Sequence, residues 1–344
     1  MNYCLRMKTH SFLVLQVFEN IAQAIWSLAF AYSESVPHMC NDRIDGVVLP
    51  HGGSVLQRLV CLLYGKKGSI VAAVAGALAC AASNCRSARA SIVSYGGTTG
   101  IVTSLCSALE MRHGRAVLNS LGLLCNLSMD RQTRSELGAN KQGDRLFRAV
   151  IAIAKRTMTG SGDDEDTLCC VQDIALQAIG ALSYANMKNA VRLTELGAVA
   201  ACFQALSACD TSNLFVRSAC HTLMDLSAPG VTIASIQATQ PKTHAGILKR
   251  LLHCAVTTGH SHLTVDSRRA IIHAITACCC DVSVALPLLV SMGADFLSVV
   301  SSFTRSFEQQ SASVWTGAEV ASSCLCISVA LSWGPLSQVC RVWL

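Results

Sequence analysis

A short apolar helical phrase returns seven times along this 344-residue chain, at intervals of 50, 46, 58, 41, 52 and 50 residues. Its members are Ser27-Leu28-Ala29-Phe30, Ala77-Leu78-Ala79-Cys80, Leu123-Leu124-Cys125-Asn126, Ala181-Leu182-Ser183-Tyr184, Thr222-Leu223-Met224-Asp225, Ala274-Ile275-Thr276-Ala277 and Cys324-Leu325-Cys326-Ile327. They follow Trp26, Gly76, Gly122, Gly180, His221, His273 and Ser323. A period of this size marks one supersecondary unit stacked on copies of itself. A single unit cannot bury its own apolar face, so neighbours must cover it. The chain is also longer than one closed core usually grows.

A second landmark runs in phase with the first. Glycine recurs at Gly53, Gly97, Gly138, Gly197, Gly246 and Gly293, lying 23, 25, 42, 24, 27 and 30 residues before the next helical landmark. The long interval holds Gly160-Ser161-Gly162 and the run Asp163 to Asp166, a surface insertion at 159–167 of the kind solenoids tolerate. The unit is therefore a short helix, a glycine turn, and two longer antiparallel helices. Glycine suits the turn because φ > 0 or close backbone approach excludes a Cβ. After Gly53, Leu56, Leu59, Val60 and Leu63 have the spacing of one buried helix face. Strand signals are scarce. The expected repeats are 12–35, 40–84, 85–130, 131–186, 187–229, 230–281 and 282–334, forming a single solenoid domain over 1–334 with a short tail at 335–344.

Composition agrees with close helix packing. Apolar residues make up 51% and aromatics 5%, so the apolar mass is Ala, Val, Leu and Cys rather than rings. Small side chains permit short interaxial distances. The net charge of +6 is modest and spread out. The densest basic stretch, Arg112 to Arg156, contains only Phe147 among aromatics, which argues against a nucleic-acid footprint and for solvated helix faces. None of the 19 cysteines is paired at Cys-x-x-Cys spacing, and most lie in apolar runs. They read as small buried hydrophobes in a reducing compartment, cytoplasmic by default, with cytoskeleton, cilium or mitochondrion as alternatives. Arg6 and Lys8 in an acid-free beginning faintly resemble a mitochondrial presequence, but Phe12 to Phe18 runs into the first repeat helix and reads as mature structure. The uncharged runs Val282 to Ala294 and Val320 to Gly334 are too short to span a membrane.

The Glu-Leu-Gly-Ala turns at Glu136 to Ala139 and Glu195 to Ala198, with Leu124-Cys125-Asn126-Leu127-Ser128, resemble the armadillo repeat family over residues 12–334. HEAT repeats are the nearest alternative and lack the recurrent glycine turn. The resemblance implies an all-α, right-handed α-solenoid of about seven repeats whose third helices line a groove for extended peptides or partner subunits. The importin-type ladder of Trp and Asn is absent: Trp occurs at its position only as Trp26, Phe30 fills the matching Asn position, and Asn126 is the sole Asn there. Nuclear-import adaptor activity is not expected.

If third helices line the groove, helical periodicity puts the residues seven and three before each landmark, the landmark, and the fourth after it on one stripe. The central repeats then offer Arg115, Asn119 and Asn126; Asp173, Gln177 and Tyr184; Ser218, His221 and Asp225; and Asp266 and His273. Amides suit the backbone of an extended peptide, and Asp173, Asp225 and Asp266 would favour a basic one. Helix capping is the competing role for Asn126, Asp225, Ser69 and Asp266.

No catalytic constellation emerges. His260, His262 and Cys254 lack a carboxylate at fixed spacing, and Gly96-Gly97-Thr98-Thr99-Gly100 lacks the Gly-Lys-Ser/Thr of a phosphate loop. The Asn126-Leu127-Ser128 sequon falls inside a helix. The expectation is a non-enzymatic protein-binding scaffold with no cofactor, metal, small-molecule substrate, nucleic acid or membrane span. A permanent structural subunit of a large assembly is the alternative.

Overall fold

The computed structural model describes residues 54–65, 67–110, 113–139, 141–155, 165–208 and 213–227, together with residues 17, 19–27, 39, 43–44, 47–48, 251, 267, 270–271 and 274. Residues 19–27 are helical, and Arg43–Ile44 pairs antiparallel with Val47–Val48 in a two-residue ribbon. The ordered helices are α1 (Val55–Leu62), α2 (Gly68–Asn84), α3 (Arg86–Ser94), α4 (Gly97–Glu110), α5 (Gly114–Leu127), α6 (Arg131–Gly138), α7 (Lys141–Ala154), α8 (Glu165–Ser183), α9 (Met187–Glu195), α10 (Ala198–Ala208) and α11 (Asn213–Ser227). The chain divides into two compact units, Met1–Leu182 and Ser183–Leu344.

Three successive triads, α3–α5, α6–α8 and α9–α11, have the short-long-long order that the two landmarks predict. The pair α1 and α2 supplies the second and third helices of the triad before them. Polar side chains set several helix starts. Ser54 caps α1 through Gln57 N at 3.2 Å, and Asn186 caps α9 through Asn189 N at 3.2 Å. Asp130 caps α6 by accepting from Gln132 N and Thr133 N at 3.0 and 3.1 Å. Each such cap satisfies an amide that the helix itself leaves unpaired. The Thr133 amide is the main reason the Asp130 carboxyl stays below the ordinary carboxylate range, with Arg86 Nε at 3.0 Å assisting.

Of the six predicted turn glycines, Gly53, Gly246 and Gly293 lie outside the described residues, and the other three turns are not made alike. Gly197 adopts φ +94°, the left-handed conformation that ends α9, but in the third repeat the positive φ (+87°) falls on Gly96, one residue before the predicted Gly97, which opens α4 where a Cβ would stand 2.5 Å from the Ile92 carbonyl oxygen. Gly138 instead closes α6 as its last helical residue, followed by Ala139 in the right-handed region. There the tight approach falls at Gly143, where a Cβ would stand 2.8 Å from the Leu137 carbonyl oxygen. The predicted face Leu56, Leu59, Val60 and Leu63 is buried throughout.

In the N-terminal unit, α2 against α5 is the most extensive helix pairing, and both are third helices. The Ala-rich α2 is buried around most of its girth, from Ile70 through Ala75 and at Ala77, Leu78, Ala81 and Ala82. Alanine allows the close approach, and Val117, Leu121, Leu123 and Leu124 of α5 supply bulk on the other side. Buried Ser104 and Ser120 hydrogen-bond at 3.0 Å between α4 and α5. In the C-terminal unit, α11 buries Val216, Ala219, Cys220, Leu223 and Leu226 and packs on α10 and α9.

The reading of the basic stretch as solvated faces holds for Arg115, Arg131, Arg145 and Arg148, which are exposed, but fails at Arg134, which is only 5% exposed. Its guanidinium donates to the Ser128 and Met129 carbonyls at 2.8 and 3.4 Å, just past the end of α5. Arg89 of α3 does the same after α2, donating from Nη1 to the Ala82 and Ser83 carbonyls at 2.7 and 3.2 Å. A first-helix arginine thus caps the carbonyl end of the preceding third helix, where the helix dipole favours a cation. Arg134→Ala should cost about 2–3 kcal/mol in chemical denaturation, since charge-assisted bonds to buried carbonyls are lost. Exposed Arg131→Ala should stay within about 0.5 kcal/mol.

Candidate partner-binding face

The third-helix stripe is tied together sideways before it can offer anything to a partner. In the helical stretch 19–27, Glu19 Oε2 accepts from Lys67 Nζ at 3.3 Å and from Ser69 Oγ at 2.9 Å. The Trp26 indole N–H donates to Cys80 Sγ at 3.1 Å. The ring covers Gly76, where a Cβ would sit 3.0 Å from three indole atoms. The Arg115 guanidinium lies 5.8 Å from the centre of the same ring, within cation–π range. Three repeats therefore meet at one tryptophan.

Asn119 and Asn126 extend the pattern. Asn119 Nδ2 donates to the Ala72 carbonyl at 2.7 Å, and Asn126 Nδ2 to the Ala79 carbonyl at 2.8 Å. Donors and acceptors are each seven residues apart, so two turns of α5 register with two turns of α2. These amides bond protein backbone, as proposed for a groove residue, but the backbone belongs to the neighbouring repeat. Asn126 is thereby no helix cap, the C-cap of α5 being Ser128. Ser69 is not an N-cap either: Lys67 holds that position in α2, and the Ser69 hydroxyl points to Glu19.

The carboxylate expected to attract a basic segment in the fourth repeat is not at the surface. Asp173 is 8% exposed, and Gln177 Nε2 donates to its Oδ2 at 2.8 Å. Beside it, Cys125 approaches the Ile174 carbonyl at 3.9 Å, and burial first, then the Asp173 charge, pushes that thiol up to about 12. Helical periodicity places Asp173 on the stripe but cannot show that Gln177, one turn later, lies over it. Gln177 itself is exposed.

In the C-terminal unit, Tyr184 is 59% exposed and His221 is also exposed, while Asp225 is half-buried. Ser218 is 3% exposed and sits in the core, on the same face of α11 as buried Phe215 and Thr222, three residues before and four after it. Asp266 and His273 lie outside the described residues, as do His260, His262 and Cys254. Among the described residues no three His, Cys, Asp or Glu side chains gather as a metal site, and no helix is long and apolar enough to cross a membrane.

The stripe contains one opening. A Cβ added to Gly122, midway along α5, would meet nothing within 4 Å, whereas the equivalent Gly76 is covered by Trp26. Gly122→Ala should therefore raise stability by about 1 kcal/mol through helix propensity. Gly76→Ala should lose that gain by pressing on the indole, and recover it in a Trp26→Ala background; thermal unfolding of the four variants checks both. The thiols give a second check. Cys202, like Cys125, is raised to about 12 by burial, while Cys61 and Cys170 are exposed. Maleimide at about pH 8 should modify Cys61 and Cys170 in the folded chain and reach the buried Cys202 only in denaturant, as read by peptide mass spectrometry.

No protein-family model matches the chain, and no curated protein matches it either. Solved structures do. A designed armadillo repeat protein superposes with TM-score 0.57 at 15% identity, covering 76% of this chain and 92% of its own. A second designed armadillo repeat protein, in complex with a (KR)4 peptide, gives 0.55 at 15% identity over 74% and 90%. An engineered protein gives 0.66 at 16% identity over 90% of this chain and 64% of its own. At such identities the likeness concerns architecture, and with the triads, turns and third-helix pairing above it establishes that the chain has the α-solenoid fold of armadillo repeat proteins.

Proposed function

We propose that this chain is a non-enzymatic scaffold that binds an extended segment of a partner protein along its third-helix face. The observation that carries this reading is the stripe of the N-terminal unit. Its helices are bonded to one another through Glu19, Trp26, Asn119 and Asn126, so the face is held rigid without a ligand. Over that frame, Arg115 and Gln177 are exposed and Gly122 leaves a gap. A pre-formed face with a few projecting polar groups lowers the ordering cost of binding. The designed armadillo protein bound to a peptide supports the mode, because it shares the fold. In the C-terminal unit, exposed His221 and half-buried Asp225 are the contacts the same reading would use. The eight described free thiols suit a reducing compartment such as the cytoplasm.

Gly122→Trp is the variant that tests this, because it puts a bulky side chain on the stripe where an added Cβ meets nothing. Partners recovered by affinity purification with wild type and variant should differ by a discrete set, with helicity unchanged by circular dichroism. Recovery of the same proteins with both would remove the face as the contact surface and favour a permanent subunit of a larger assembly.

A further inference from the structure

Resting on that groove reading, we infer that the third-helix face of the N-terminal unit accepts an acidic extended segment and rejects a basic one, with Arg115 setting the choice. The sequence alone points the other way, through Asp173. In the fold, α2 carries no charged residue and α5 carries only Arg115. The acids are withdrawn: the Glu19 side chain is 16% exposed and engaged by Lys67 and Ser69, and Asp173 is buried under Gln177. Of the described side chains on this stripe, the exposed charge is therefore a cation, with the partly exposed Lys67 ammonium adding the same sign.

Position matters as much as sign. A partner's lysine or arginine would find its best seat on the stripe over the Trp26 ring, and Arg115 already lies there. Taking that seat would bring two cations together and strip one of its ring contact. A carboxylate meets the opposite situation. The guanidinium is planar, exposed and oriented by the indole, and its fork matches a carboxylate through two parallel bonds. Rejection by like charge and attraction by the fork together give selectivity that neither gives alone.

The test measures fluorescence anisotropy of labelled octapeptides, (Asp-Glu)4 and (Lys-Arg)4, with the full chain at about 0.05 M salt, where charge contributions are large. Wild type should bind (Asp-Glu)4 at least about tenfold more tightly than (Lys-Arg)4. Arg115→Glu should weaken (Asp-Glu)4 by about tenfold or more and improve (Lys-Arg)4. Arg145→Glu, the same charge change at an exposed position of α7, should alter neither by more than about twofold. Equal losses in the two variants would overturn the inference, since the net charge of the chain would then be the cause. Failure of (Asp-Glu)4 to bind would overturn it as well. A wild-type preference for (Lys-Arg)4 that Gly122→Trp abolishes would refute the charge assignment and leave the groove standing. Octapeptide binding indifferent to Gly122→Trp would refute the groove itself.

Discussion

Everything described in the N-terminal unit depends on how closely α2 and α5 approach. α2 presents alanine along most of its length, so the α5 backbone comes near enough for Asn119 and Asn126 to reach the carbonyls of Ala72 and Ala79. Those carbonyls already accept within their own helix and have a second lone pair to give. Gly76 likewise leaves room for the Trp26 ring of the stretch 19–27, whose indole N–H reaches Cys80. Small residues here are therefore the means by which polar side chains of one repeat reach the backbone of the next.

That arrangement changes what a polar residue on a third helix means. In a solenoid the backbone of a stripe is matched by its neighbour's side chains, and an asparagine can hold the stack or hold a ligand. The two roles use the same chemistry, a donor meeting a carbonyl, and differ only in whose carbonyl it is. Asn119 and Asn126 have chosen the neighbouring helix. What remains outward is the rim of the stripe: Arg115, Gln177 and the gap at Gly122.

The sequence made the fold legible because stacking imposes a period, and a period survives when individual residues vary. The landmarks at Gly76, Gly122 and Gly180 and the turns at Gly96 and Gly197 are repeated consequences of one geometry. Membership of the stripe was legible for the same reason, since 3.6 residues per turn fixes which positions share a face. Depth and partner were not. Asp173 and Gln177 occupy the same stripe four residues apart, yet the acid is buried and the amide lies exposed over it, a difference in depth that periodicity does not carry. Local charge density alone does not separate Arg134 from its exposed neighbours. Arg89 stands at the same place in the preceding first helix, and that recurrence was the available signal.

Lateral bonding also explains why one tryptophan can matter across three repeats. Trp26 belongs to the first, covers a glycine of the second and is overlain by an arginine of the third. Each contact is weak alone, but all three fix a ring in one orientation, so the cost of ordering the Arg115 side chain is shared with packing that exists in any case. A surface arginine ordinarily gives up rotamer freedom when it grips a ligand. One already laid across a fixed ring gives up less, and the difference appears as affinity. A lone arginine at the start of an apolar helix is thus the stripe residue whose side chain the fold has already oriented.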